Sequence, residues 1–152
     1  MGLTQVEFEA ILADRSKRLD GDIQWGEDED HSPAVCFRVE VTSAGGVPLF
    51  VCGSFNRLAK ALSFALIHRS VGRIYGLDLG KDHHNPTCEY VGEKHKHRWS
   101  EPVRDKEAYV PEDITASVDD PVAVWAQFCA EAAITHGGVL NAPPPIEEPL
   151  PL

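Results

Sequence analysis

The chain has 152 residues, 43% of them hydrophobic, and a formal net charge of −10. This length and apolar content suit one globular domain with its own core, which we expect to span residues 1–140. No apolar run approaches the roughly 18 residues that cross a bilayer, and the N-terminus lacks the basic region of a secretory signal. We therefore expect a cytoplasmic protein without a membrane partner.

The first thirty residues predict one helix and one strand. Thr4 and Glu7 form a capping-box pattern ahead of an apolar stripe, which predicts a helix over residues 4–16. Residues 17–25 are expected to form a strand. The acidic run at 26–30 lacks the alternating ligands and the glycine of a calcium-binding loop, so we interpret it as a solvated loop.

The middle of the chain predicts two β-hairpins. Residues 34–41 and 47–52 are rich in β-forming side chains and flank a glycine pair, which indicates the first hairpin. Residues 61–69 fit both a helix and a strand by periodicity alone. A turn at 70–72 followed by β-forming residues at 73–79 favours a second hairpin, and therefore a strand for 61–69.

The last part of the chain predicts a helix and a tail. Asp119-Asp120-Pro121 supplies a cap and a proline for the start of this helix, which we expect to end at Gly137-Gly138. Residues 141–152 are rich in proline and acidic, so we expect a tail that is disordered or adopts a polyproline II conformation. Strands between terminal helices predict an α+β fold, with a curved antiparallel sheet of five or six strands and helices near both ends.

Charge is distributed unevenly along the chain. Residues 1–56 hold ten acidic and four basic side chains, and residues 105–152 hold nine and one. Residues 57–104 reverse the balance, with nine basic and five acidic side chains. A polyanion such as RNA would be repelled by both flanks and tolerated only along the middle. The predicted nucleic-acid-binding residues are Arg57, Lys60, Arg69, Arg73, Lys94 and Arg98.

Four of the seven histidines lie within fifteen residues, at His83, His84, His95 and His97. The i, i+2 spacing of the last pair puts both imidazoles on one face of a strand. Two histidines can act as base and acid when a ribose 2′-hydroxyl attacks its phosphate, and a lysine can stabilise the developing charge. This metal-independent ribonuclease hypothesis assigns catalysis to His84, His95, His97 and Lys96, with Asp78 and Asn85 as orienting residues.

Two alternatives interpret the same segment differently. The first is a tetrahedral zinc site of three imidazoles and a thiolate. Its ligands would be His84, Cys88, His95 and His97. In the second alternative the segment is an exposed polar strand without chemistry, and the protein is a non-enzymatic, acidic module that binds or inhibits another protein.

A wider pattern runs through residues 75–130. It consists of Leu77-Asp78-Leu79, His84-Asn85-Pro86, the stretch 92–99, Glu101, the stretch 106–111 and Phe128-Cys129. This pattern resembles a small bacterial family without an established activity, whose signature reads D…HxNP…GxHxHxY…E…AxP. More distantly, it is similar to TumE-type toxins of toxin–antitoxin pairs, although the chain lacks their Arg-Tyr-Asp-Asn-Ala block. The likeness to the toxins implies a bacterial or mobile-element ribonuclease that acts on RNA and has a cognate antitoxin as its partner.

Overall fold

A computed structural model describes residues 2–28, 33–80, 85–86 and 90–146 of the chain. These residues form two helices, α1 (Gln5–Ala13) and α2 (Pro121–Glu131), and the predicted α+β class is confirmed. None of the described helices is long and apolar enough to cross a membrane. The strands are β1 (Arg18–Asp20), β2 (Gly26–Glu27), β3 (Ala34–Val41), β4 (Leu49–Asn56), β5 (Ala61–His68), β6 (Gly72–Leu79), β7 (Lys94–Arg98), β8 (Ala108–Tyr109) and β9 (Thr135–Gly137).

Seven of these strands form one curved, open antiparallel sheet in the order β2-β3-β4-β5-β6-β7-β8. Each strand pairs with its neighbours in sequence, so the sheet is a meander of successive hairpins. The sequence predicts about five or six strands for this sheet, and it has seven. The two edge strands, β2 and β8, have two residues each, which is too short to show an alternating pattern.

Both predicted hairpins are confirmed, and β5 resolves the ambiguity at residues 61–69 in favour of a strand. Along β5, Leu62 and Phe64 are buried while Ser63 is only partly buried. A strand with a hydrogen-bonded neighbour on each side gains two ladders of backbone bonds. This tertiary pairing overrides the helical spacing of the same side chains.

Two predictions for the N-terminal region are wrong in detail. The predicted helix 4–16 ends at Ala13, because Asp14 adopts an extended conformation at the C-cap. The predicted strand 17–25 is only three residues long, since Gly21 has a φ of 88° and turns the chain. In the segment 26–30, expected to be a solvated loop, the first two residues are exposed but form β2, where Gly26 pairs with Cys36. Residues 29 and 30 lie outside the described residues.

The predicted end of the last helix is also wrong. Helix α2 begins at Pro121 as expected but ends at Glu131, six residues before Gly137. Ala133 takes the left-handed conformation, with a φ of 56°, and the Ile134 N–H donates to the carbonyl of Cys129 at 2.9 Å, which closes a Schellman motif. The chain then forms β9, which pairs in parallel with β1.

The sheet has two different faces. The core face carries Phe64 and Tyr75 and packs against α2, with ring centroids 5.1 Å apart for Phe64 and Trp125 and 5.6 Å apart for Tyr75 and Phe128. The opposite face, which we call the open face, carries Ser63, Gly76 and Asp78 along β5 and β6. The two faces follow from strand alternation, because successive side chains point to opposite sides.

Residues 141–146 are the described part of the predicted tail, and they contact the domain. The Asn141 N–H donates to the Ile23 carbonyl at 3.0 Å. The Arg57 guanidinium donates to the Pro144 carbonyl at 3.0 Å.

Candidate metal centre

Two neighbouring strands bring Asp78, His95 and His97 together on the open face. Asp78 lies directly opposite His95 in the antiparallel pairing of β6 with β7, and Gly76 lies opposite His97. The prediction that both imidazoles share one face of a strand is confirmed, with ring centroids 4.9 Å apart. Although they lie on the open face, the side chains are buried, with relative exposures of 7% for Asp78, 1% for His95 and 3% for His97.

The three side chains converge on one point. The Asp78 Oδ2 atom is 3.1 Å from His95 Nε2 and 3.3 Å from His97 Nε2. One donor atom from each of the three residues lies within 4.8 Å of the other two. The other oxygen of Asp78 accepts a hydrogen bond from the Ser63 hydroxyl at 2.5 Å. Burial raises the pKa of Asp78, but hydrogen bonds from His95, His97 and Ser63 hold it well below its usual range, so this carboxyl is ionised.

Backbone carbonyls determine the orientation of both imidazoles. His95 Nδ1 is 2.9 Å from the Gly92 carbonyl, and His97 Nδ1 is 2.7 Å from the Asp105 carbonyl. Because a carbonyl oxygen only accepts, each Nδ1 carries a proton and donates it. In a neutral ring the lone pair is then on Nε2, which faces the Asp78 carboxylate. Two nitrogen lone pairs and a carboxylate oxygen repel one another unless a cation, either a proton or a metal ion, lies among them.

A β-bulge brings Arg73 to the same cluster. Tyr75 pairs with Leu66 but Arg73 pairs with Ile67, so β6 has one extra residue at this point. In a regular strand Arg73 and Asp78, five residues apart, would point to opposite faces. The extra residue reverses the alternation and puts Arg73 on the open face.

Arg73 lies flat across Gly76 and links the cluster to Asp105. A Cβ atom at position 76 would be 3.0 Å from Arg73 Cδ, so glycine leaves the space that the arginine occupies. The Arg73 Nε atom donates to Asp105 Oδ2 at 2.9 Å, and Nη1 is 3.7 Å from Asp78 Oδ2. Asp105 therefore holds Arg73 with its side chain and His97 with its carbonyl.

Lys96 is separated from the histidines by the sheet itself. Its Nζ atom donates to Asp113 Oδ2 at 2.6 Å and to Glu131 on the core face, and its side chain is fully buried. Burial raises the pKa of Glu131, but hydrogen bonds with Asp113 and Lys96 lower it to about 2. Strand alternation places Lys96 between two histidines in sequence but on the other side of β7. The predicted role of Lys96 beside a phosphate at the histidines is therefore not available to it, and β7 is not the exposed polar strand of the second alternative.

The remaining predicted site residues fall in different places. Asn85 is buried, and its amide exchanges two hydrogen bonds with the backbone of Ala108, at 3.0 and 2.6 Å. It holds the edge strand β8, and neither of these two bonds goes to a described histidine. His84 and Cys88 lie outside the described residues.

The predicted nucleic-acid-binding residues do not form one basic surface. Lys60 and Arg69 flank opposite ends of β5, an eight-residue strand that spans roughly 25 Å. Lys60 pairs with Asp119 at 3.1 Å, and Arg69 pairs with Glu40. Arg57 also pairs with Glu27, and Arg73 pairs with Asp105. The Arg98 guanidinium lies 5.7 Å from the Phe8 ring centroid. Lys94 is exposed.

Several residues of the cluster have no signal, or a different one, in the sequence. The sequence predicts that Asp78 orients a histidine, whereas its carboxylate faces both Nε2 atoms directly. Gly92 and Asp105 contribute carbonyl oxygens, which have no signal in a sequence. Ser63 alternates with the apolar residues of β5, and that alternation places a polar group on the face opposite the core.

A family model described as a family of unknown function, DUF6978, matches residues 3–134. The match covers most of the chain and includes Asp78, His95 and His97, so the protein belongs to this family. Comparisons with the curated proteins and with the solved structures found no match.

Proposed function

We propose that this member of a family of unknown function binds a divalent transition-metal ion through Asp78, His95 and His97, with zinc as the ion expected first. The observation that carries the proposal is the convergence of two Nε2 atoms and one carboxylate oxygen, all within 4.8 Å of one another. Imidazole nitrogen and carboxylate oxygen are common zinc ligands. The same donor set also suits Fe²⁺.

The hydrogen bonds that orient the two histidines support a metal site. Histidines that bind metals usually donate the other ring N–H to a carbonyl or carboxylate, which fixes the tautomer and the ring orientation. Both histidines do this, to the carbonyls of Gly92 and Asp105. The two Nε2 atoms are therefore directed at one point before any ion binds.

A metal-independent ribonuclease is less well supported by the same geometry. In-line attack at a phosphate needs a base and an acid on either side of the phosphorus atom. Here both Nε2 atoms face a single oxygen of Asp78, and Lys96 lies on the other face of the sheet. The toxin and binding-module hypotheses remain predictions, and expression in bacteria tests the first, since a toxin should arrest growth and His97→Ala should abolish the arrest.

Metal analysis of the purified protein tests the proposal. The protein is stripped with a chelator, dialysed against Zn²⁺, and analysed by elemental mass spectrometry and calorimetry. We expect one ion per chain, with affinity reduced 100-fold or more in His95→Ala, His97→Ala and Asp78→Asn, because each variant removes one of three ligands. His68→Ala is the matched control, since His68 ends β5 and its imidazole Nδ1 accepts a hydrogen bond from the Ser70 N–H at 3.1 Å.

The result that would overturn the proposal is a wild-type protein that retains no Zn²⁺, Fe²⁺, Co²⁺ or Ni²⁺ above the level of Asp78→Asn. Circular dichroism of each variant shows whether a lost ion reflects a lost ligand or a lost fold. His84→Ala and Cys88→Ser test the ligand set predicted from the sequence. A reduced affinity in either variant would add that residue to the three.

A further inference from the structure

We propose that Arg73 binds an oxyanion group, a carboxylate or a phosphate, of a ligand that coordinates the metal ion at Asp78, His95 and His97. This inference rests on the proposed function. Three protein ligands leave at least one coordination position of a divalent ion for an exogenous group. Arg73 is the arginine that the structure places beside the described ligands.

The position of Arg73 depends on a local irregularity of the sheet. The bulge opposite Leu66 and Ile67 interrupts the pairing of β5 with β6 and reverses the side-chain alternation before Asp78. Bulges of this kind disturb the local ladder and often lie next to active sites, where they redirect a side chain. The side chain redirected here is Arg73, and its destination is the metal cluster.

The guanidinium is held in place but retains free donors. Asp105 fixes its Nε atom at 2.9 Å, and the absence of a side chain at Gly76 lets it lie across the sheet surface. Arg73 is 28% exposed, whereas the three metal ligands are nearly inaccessible. Among the described residues, the structure records no hydrogen bond from Nη2. The fork of N–H groups on a guanidinium matches the planar geometry of a carboxylate or phosphate.

The balance of charge makes the proposed binding conditional on the metal. Asp78 and Asp105 carry two negative charges and Arg73 carries one positive charge. With neutral histidines, the cluster without an ion is therefore negative and should repel anions. A divalent ion reverses this and leaves one positive charge. Anion binding should therefore appear only after metal loading, which a simple Arg73–Asp105 salt bridge does not predict.

The experiment uses the Co²⁺-loaded protein, whose visible absorption reports ligand exchange at the ion. Inorganic phosphate and acetate are titrated into the metal-free and the Co²⁺-loaded wild type. We expect a saturable spectral change only with Co²⁺, and a Kd for phosphate that rises about tenfold or more in Arg73→Gln, because a charge-assisted bidentate contact is lost. Arg73→Lys keeps the charge without the fork, and Gly76→Ala pushes the guanidinium aside, so both should show intermediate increases.

Arg38→Gln is the matched control, because it removes the same charge from an exposed residue on β3, three strands away from β6. Each variant is first shown to bind one Co²⁺. If Arg73→Gln binds Co²⁺ and phosphate as the wild type does, or if phosphate leaves the loaded wild type unchanged, the role of Arg73 is refuted while the metal site stands. If the wild type binds no metal, the proposed function fails and this inference fails with it.

Discussion

Replacing Lys96 with methionine tests whether the buried ion cluster on the core face stabilises the fold. The Lys96 ammonium is fully buried and donates to Asp113 and Glu131, so methionine of similar length removes the charge and leaves two carboxylates without their counter-ion. Breaking a buried ion pair by removing one partner typically costs about 3–5 kcal/mol.

The pKa of Glu131 gives the direction of the effect. Burial raises this pKa, but hydrogen bonds with Asp113 and Lys96 lower it from 4.5 to about 2 in the folded chain, so the ionised carboxylate stabilises the fold at neutral pH. Burial and the hydrogen bond with Glu131 raise the pKa of Asp113, so the two carboxylates would repel each other more once the lysine is gone. We therefore expect Lys96→Met to lower the free energy of unfolding by about 3 kcal/mol at pH 7.

The loss should depend on pH with a definite sign. A carboxyl group whose pKa is lowered by folding stabilises the native state above its unfolded pKa of 4.5, and that contribution disappears as the pH falls through 2. The difference between wild type and Lys96→Met should thus shrink to roughly half or less at pH 3.

Urea unfolding monitored by tryptophan fluorescence at pH 7 and pH 3 measures both quantities. Lys94→Met is the matched control, because Lys94 carries the same charge on the same strand but is exposed. A Lys96→Met variant within about 0.5 kcal/mol of the wild type at pH 7 would refute the reasoning, since that is the usual effect of a neutral surface change. An equal loss at both pH values would show that packing, and not the ion pairs, accounts for the effect.

Two further predictions concern stability. Ala133 adopts a φ of 56° after α2, so Ala133→Gly should relieve the left-handed strain and raise stability by about 0.5–1 kcal/mol, seen as a higher Tm; an unchanged or lower Tm would contradict this. A Cβ atom at position 53 would overlap the Phe37 ring, which packs against Trp25 and Trp125. Gly53→Ala should therefore cost roughly 2–3 kcal/mol in urea unfolding, whereas Gly2→Ala, with nothing near its Cβ position, should cost nothing measurable.

Several features of this protein could be read from the sequence because they depend on neighbouring residues. The hairpin between β3 and β4 follows from β-forming side chains around a glycine pair, and the start of α2 follows from Asp120 and Pro121. The two imidazoles share a face because residues 95 and 97 are two apart on a strand. Each of these rests on spacing within a few residues, where the geometry of the backbone leaves few choices.

Other features depended on which distant segments meet. Asp78 becomes a potential ligand only because β6 pairs with β7 in the register that sets it opposite His95, across sixteen intervening residues. Lys96 is buried because α2 covers that face of the sheet and brings Glu131 to it. The parallel pairing of β9 with β1 joins residues more than a hundred positions apart.

The position of Arg73 is the clearest example of a feature that strand pairing decides. Its separation from Asp78 predicts opposite faces of β6, and one extra residue in the pairing with β5 reverses that result. Register and bulges are determined by how whole strands bury their apolar sides against a shared core, because a slip of one residue would expose every buried side chain of a strand. The sequence by itself determined which side chains could act near one another, and only the packing of the sheet decided that Asp78, His95, His97 and Arg73 would meet while Lys96 would not.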